Sequence, residues 1–133
     1  MAVLIDTTVL VNAERRGHAL DDVVGDQERG ISAITASELL HGVHRAEEGA
    51  VRARRSAFVE HVISAMEPLP ITTAIARAHA AVWAELEKEG NLIGAHDLWI
   101  AATALSHGMV VATANTRGFE RVPGLTVVVP GES

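Results

Sequence analysis

Gly94-Ala95-His96-Asp97-Leu98-Trp99-Ile100-Ala101-Ala102 is the stretch on which the reading of this chain turns. It opens a helix that is apolar nearly all the way round. From Ala95 to Gly108 there is no Lys, Arg or Glu, and Asp97 is the sole acid. A helix apolar on every side is usually buried. An ionised carboxylate in such surroundings costs several kcal/mol, roughly, unless its charge is offset. A helix N-terminus, a cationic side chain and a metal ion are the three ways to offset it.

Downstream, Gly108 caps this helix, Met109-Val110-Val111-Ala112 reads as a buried strand, and Thr113-Ala114-Asn115-Thr116 marks its end. Leu125 to Val129 reads as a last strand closed by Pro130-Gly131. Upstream, Thr72 or Thr73 caps a helix from Ala74 to about Glu89, with Ile75, His79, Val82, Trp83 and Leu86 on one stripe and Gly90-Asn91 as its stop. Pro68-Leu69-Pro70-Ile71 is extended, as the prolines require, and suits a short strand. A helix from Ala50 to Met66 follows a break at Gly49 and carries Phe58, Val59, Val62 and Ile63 at helical spacing.

Nearer the N-terminus, Ile31-Ser32-Ala33-Ile34 reads as a strand. Thr35-Ala36-Ser37-Glu38 then matches a capping box opening a helix to about Glu48. His18 to Glu28 suits a short surface helix ended by Gly30. Ala2-Val3-Leu4-Ile5 is a continuous apolar run of the kind found in a central parallel strand, with Asp6 at its carboxyl end. Strands interleaved with helices define an α/β fold with a mainly parallel central sheet flanked by helices. At 133 residues the whole chain, 1–133, is expected to be one domain.

Composition narrows the function. The chain is 48% hydrophobic, lacks Cys and carries a net charge of -6. It therefore has neither disulfides nor thiolate metal ligands, and it is not a nonspecific basic coat for nucleic acid. The absence of Cys fits a reducing cytoplasm. Met1-Ala2-Val3-Leu4-Ile5 lacks a basic leader and is cut short by Asp6, so no signal peptide is expected. Ser106-His107-Gly108 interrupts the longest apolar stretch, so no membrane span is expected either.

In such a fold ligands bind beyond the carboxyl ends of the strands. Asp6, Glu38 and Asn115 are each brought to that edge by the strand before them. Asp6, Glu38 and Asp97 share a further property: no Lys or Arg lies within three positions of any of them. Taken singly, each acid has a helix-start explanation. Asp6 suits an N-cap, Glu38 the capping box, and Asp97 a first turn where the helix dipole is worth about 0.3–1 kcal/mol. Taken together, three carboxylates at one edge repel one another. A divalent cation removes the conflict, and Mg²⁺ or Mn²⁺ suits hard oxygen ligands. The chemistry implied is phosphodiester hydrolysis with a cation-activated water. Glu38-x-x-His41 has the spacing of half a carboxylate-bridged di-iron site, but no second Glu-x-x-His exists. Arg52, Arg54 and Arg55, with Arg45 just before, form either a solvated face or a phosphate contact.

Four ordered blocks carry a resemblance. They are Asp6-Thr7-Thr8-Val9-Leu10, the stretch from Ile31 to Val43 around Glu38, the stretch from Ile93 to Ala102 around Asp97, and Thr113-Ala114-Asn115-Thr116-Arg117-Gly118-Phe119. Together they resemble the PIN-domain ribonucleases, and within them the VapC-type toxins of bacterial toxin–antitoxin pairs. The resemblance covers essentially the whole chain. It implies a PIN-like fold and a Mg²⁺-dependent endoribonuclease of the bacterial cytoplasm. It also implies a homodimer held inactive in a hetero-oligomer with a cognate antitoxin, whose tail crosses the active groove. It places Asp6, Glu38 and Asp97 on the family's metal-ligand positions. The fourth block departs from the family, because relatives often carry an acid at the position of Asn115 or of Gly118. Asn115 still offers a carbonyl oxygen or can hold a metal-bound water, so a single metal ion or a weakly occupied second site is expected. Thr7 and Thr113 are candidate hydroxyls for orienting the carboxylates, or plain turn residues. A PIN-fold binding module without chemistry and a metal-dependent DNA nuclease are the competing readings.

Overall fold

The computed structural model describes residues 2–24 and 27–130. Its centre is β1 (Val3–Ile5), flanked by β2 (Arg29–Gly30) and β3 (Val110–Ala112), with β4 (Val127–Val128) outermost. The sheet order is β2-β1-β3-β4 and all pairings are parallel. Val3, Leu4 and Ile5 face Val110, Val111 and Ala112 in register. Side chains alternate faces along a strand. Accordingly Val3 and Ile5 pack on one side with Val9, Leu10, Leu39 and Val62, while Leu4 packs on the other with Leu86, Ile100, Val111 and Phe119. Both faces of β1 are covered, which is why its sequence is continuously apolar rather than alternating.

The helices are α1 (Thr7–Arg16), α2 (Asp21–Val24), α3 (Ala33–Arg45), α4 (Gly49–Ala65), α5 (Thr73–Lys88) and α6 (Ala95–His107), with a 3-10 turn at Phe119–Arg121. Helices α1, α3 and α4 contribute to the first core, and α5 and α6 to the second. In α6, Leu98 and every residue from Ile100 to Ala104 are buried, as its composition required. Gly108 ends it in the left-handed region at φ 66°.

Several boundaries differ from the sequence expectation. The strand expected at Ile31–Ile34 does not form. The ladder stops at Gly30, Ser32 makes an isolated parallel bridge to Leu69, and Ala33 is already helical. A four-residue apolar run has no period long enough to separate strand from helix. Ser32 is therefore the N-cap of α3, its Oγ accepting from the Thr35 N–H at 3.0 Å, and the expected capping box at Thr35 is not used. The bridge at Leu69 is all that remains of the strand expected at Pro68–Ile71. Gly49 begins α4 instead of breaking the chain, because the Glu48 carboxylate caps the Ala50 and Val51 N–H groups. The last strand covers Val127–Val128, not Leu125–Val129, since Leu125 closes a turn onto Val122. Within His18–Glu28 only Asp21–Val24 is helical, while Gly25 and Asp26 lie outside the described residues, as does Gly131.

β1 leads to β2 on one side, and the chain returns to pair β3 on the other side of β1. The carboxyl ends of β1 and β3 thus bound the point where strand order reverses, the usual ligand position in an open α/β sheet.

Candidate active site at the carboxyl edge of the sheet

Asp6 leaves β1 with only 3% of its surface exposed. It occupies the N-cap position of α1 but makes no side-chain cap bond. Its Oδ2 accepts from two hydroxyls, Thr8 at 2.7 Å and Thr113 at 2.8 Å. Thr113 is fully buried at the end of β3, so Asp6 is held from both strands that bound the crevice. The expected N-cap role is thus filled by position alone, and the carboxylate is turned to other use. A buried carboxylate needs such donors, because desolvation without them costs several kcal/mol, roughly.

Glu38 projects from the second turn of α3. The Thr7 hydroxyl donates to its Oε1 at 2.7 Å and also approaches the Thr35 hydroxyl at 3.2 Å. Its Oε2 lies 3.3 Å from Nδ1 of His96. Glu38 therefore does not bond back to the backbone at the helix start, and the capping-box explanation for it does not hold. His96 precedes Asp97 by one residue, so helix geometry alone would set the two on different sides of α6. At the very start of α6 its ring reaches across the cleft to Glu38 instead.

Asp97 sits in the first turn of α6, half-buried, and no hydrogen bond reaches its carboxylate among the described residues. Its pKa is pushed up to about 6, by burial first and then by the charges of Asp6 and Glu38, with His96 pulling the other way. The helix N-terminus that explains an isolated acid is thus outweighed here. Asp6, Glu38 and Asp97 line one pocket of about 280 Å³ together with Thr7, Thr8 and Arg15.

This donor set fits a hydrated hard cation. It consists of oxygen ligands whose mutual repulsion is registered at Asp97, and among the described residues no side-chain cation is paired with Asp6 or Asp97. Among the described residues no three His, Asp or Glu side chains form a ready-made ion cage.

Asn115 is exposed on the loop after β3 and does not line this pocket. Its Oδ1 accepts from the Arg117 N–H at 3.4 Å, and its own N–H donates to Thr113 Oγ1 at 3.0 Å. Gly118 is closer to the acids: a Cβ placed there lies 3.7 Å from Asp97 Oδ2. Of the arginine cluster, Arg54 and Arg55 face Glu14 at 3.7 and 3.8 Å, and Arg52 is exposed. Sequence reasoning missed His96 as a partner of Glu38, Thr8 as a donor to Asp6, and Arg15. Thr8 had a local signal, since a hydroxyl two residues after an Asp is in reach of its carboxylate. His96 and Arg15 had none.

A family model described as "PIN domain" matches residues 3–125. The chain is 34% identical over 128 residues to "Ribonuclease VapC1" of Rickettsia felis, covering 96% of each chain. It is 41% identical over 97 residues to "tRNA(fMet)-specific endonuclease VapC" of Salmonella typhimurium, covering 73% of this chain and 71% of the relative. Among solved structures, DNA-bound VapBC from Salmonella typhimurium superposes with a TM-score of 0.84 at 30% identity, over 97% of this chain and 98% of the other.

Proposed function

The chain belongs to the VapC group of the PIN-domain family, and from that membership we propose that it is the toxin of a toxin–antitoxin pair, a Mg²⁺-dependent endoribonuclease neutralised by a cognate antitoxin. The observation that carries the catalytic part is the convergence of Asp6, Glu38 and Asp97, from three separate elements, on one pocket where Asp97 is pushed up to about 6 by burial and by the other two. Three carboxylates have no reason to share a phosphate-cutting site without a cation. Bound there, Mg²⁺, or Mn²⁺ in its place, supplies charge neutralisation at the phosphoryl group and activation of the attacking water.

The side chains divide the remaining work. Thr8 and Thr113 hold Asp6, and Thr7 holds Glu38 against His96. These bonds set the directions of the carboxylates before any ligand arrives, so little reorganisation is left for the reaction. With Asn115 turned onto Arg117 and no side chain at Gly118, one cation is the reading this pocket supports. Among the described residues no helix is long and apolar enough to cross a membrane.

A homodimer is part of the same reading. Helix α5 buries only Ile75 and Leu86 fully and leaves Trp83 49% exposed beside His79, whose ring stacks on Trp99 at 3.5 Å. An exposed aromatic on a packed aromatic base is a typical contact surface.

RNA cleavage with Mg²⁺ and with chelator, for the wild type and for Asp97→Asn, tests the catalytic reading. Cleavage is expected from the wild type with Mg²⁺ alone. Equal cleavage by both proteins would sink the carboxylate mechanism. Tight partner binding with neither cation uptake nor cleavage would leave a non-catalytic PIN-fold binding module. Cutting of DNA in preference to RNA would reassign the substrate.

A further inference from the structure

A second cavity, of about 230 Å³, adjoins the acidic pocket and shares Asn12 with it. Val9, Asn12, Ala13 and Arg16 line it from one face of α1. The opposite face carries Glu14 toward Arg54 and Arg55 of α4. Ala114 after β3, Val129 and Pro130 after β4, and Val23 of α2 complete the cavity. It therefore lies at the same carboxyl edge of the sheet as the three acids, where open α/β sheets bind ligands. It is also tied to them by one side chain. The Ala114 N–H donates to Thr8 Oγ1 at 3.0 Å, and that hydroxyl donates to Asp6 Oδ2 at 2.7 Å. Two kinds of surface meet in the cavity. Val9 and Ala13, both buried, join Val23, Val129 and Pro130 in an apolar lining. Asn12, Arg16, His18 and Asp22 supply a polar edge. The turn at Gly17 returns the His18 N–H to the Ala13 carbonyl at 2.9 Å, which keeps His18 beside the other three. None of these four side chains is held by a hydrogen bond or ion pair to another described residue. Donors, an acceptor and an amide are thus on offer to one ligand.

We propose that this cavity receives one nucleobase of the RNA strand, from a nucleotide flanking the bond to be cut, and sets the base preferred there. The proposal rests on the ribonuclease reading above and names how that substrate is selected. An apolar lining suits the two faces of a base, and donors beside an acceptor suit its edge. Unstacked bases of single-stranded RNA are read in this way, with an Arg guanidinium available for stacking as well as for hydrogen bonding. The volume lies below the ~300 Å³ at which sites for drug-sized ligands begin, so it suits one flat ring system and not a longer molecule. The shared Asn12 adds a condition: the occupant belongs to a molecule that also reaches the three acids. A strand cut in one pocket meets that condition by placing the neighbouring base in the other.

Abasic substitution tests this. The wild type is given a randomised pool of short single-stranded RNA with Mg²⁺, and one sequence that it cuts is remade with an abasic nucleotide at each flanking position in turn. At one position, loss of the base is expected to lower kcat/KM by about tenfold, the order of effect one well-read base supplies. In Arg16→Ala and in Asp22→Ala that difference between intact and abasic RNA is expected to shrink, while both variants cut the abasic RNA as the wild type does. The two substitutions change net charge in opposite directions, so a loss shared by both does not come from charge. Both side chains are exposed, so both variants are expected to fold. A base effect retained in full by both variants would overturn the proposal, and so would equal cutting of intact and abasic RNA by the wild type. In either case the ribonuclease reading stands. Variants that keep the base effect but escape the antitoxin would make the cavity a protein-docking surface instead. A wild type that cuts none of these RNAs defeats the ribonuclease reading and the proposal together.

Discussion

Asp97 shows how one residue registers a whole site. Its pKa moves from 3.8 to about 6 through burial and two like charges. Between those values the folded chain keeps a proton that the unfolded chain has lost, so stability falls as pH rises through that window. Asp97→Asn removes the conflict. At pH 7 it is expected to stabilise the cation-free protein by about 1 kcal/mol, after allowing for solvent screening at a half-buried carboxylate. That is a rise in Tm of roughly 4 °C. Below the unfolded value of 3.8 the difference should vanish. Thermal unfolding across pH measures both, and a variant less stable than wild type at neutral pH would refute the reading. Added Mg²⁺ should raise the wild-type Tm more than the variant's, and more Mg²⁺ should be needed as pH falls below about 6.

Gly118 offers the converse experiment. Its backbone, at φ -69° and ψ -47°, accepts any side chain, and a Cβ there meets Asp97 Oδ2 and Ile93 at ordinary contact distance. Gly118→Asp should lower stability without cation, by adding a like charge, and tighten Mn²⁺ binding in a calorimetric titration. Unchanged affinity would count against the fourth block as the missing part of the metal site.

At the scale of elements, the site depends on how α3 begins. Ser32 caps the helix, and its Oγ lies 3.4 Å from Thr35 Oγ1. Thr35 neighbours the Thr7 hydroxyl that holds Glu38. The helix start and the Glu38 carboxylate are thus joined by one row of hydroxyls. Ser32→Ala should cost about 1 kcal/mol of stability from the lost cap. It should also lower cleavage by a protein that is still fully folded, because Glu38 loses its fixed direction. Chemical denaturation and cleavage rates, measured on the same preparation, separate the two effects. A stability loss with unchanged cleavage would show that the row ends at Thr35.

The whole molecule carries the remaining prediction. Trp83 is 49% exposed on α5 and meets the edge of the His79 ring. If two copies meet through this face, Trp83→Glu should shift sedimentation from dimer to monomer without changing Tm by more than a few degrees. A variant that sediments as the wild type does would place any dimer contact elsewhere.

Much of the fold was legible beforehand because its signals are local. The run Val3–Ile5, the apolar α6 and the isolation of Asp6, Glu38 and Asp97 from any basic neighbour are properties of short windows. Those windows determined the parallel α/β architecture and the edge on which the acids meet. Tertiary structure alone decided how each acid is held. Thr113 meets Asp6 across 107 positions and His96 meets Glu38 across 58, and no local period encodes such pairs. It also decided that Arg54 and Arg55 lie against Glu14, since that depends on α1 lying against α4. Sequence spacing sets which residues share a face, but charge pairing and burial are settled only when distant elements are packed together.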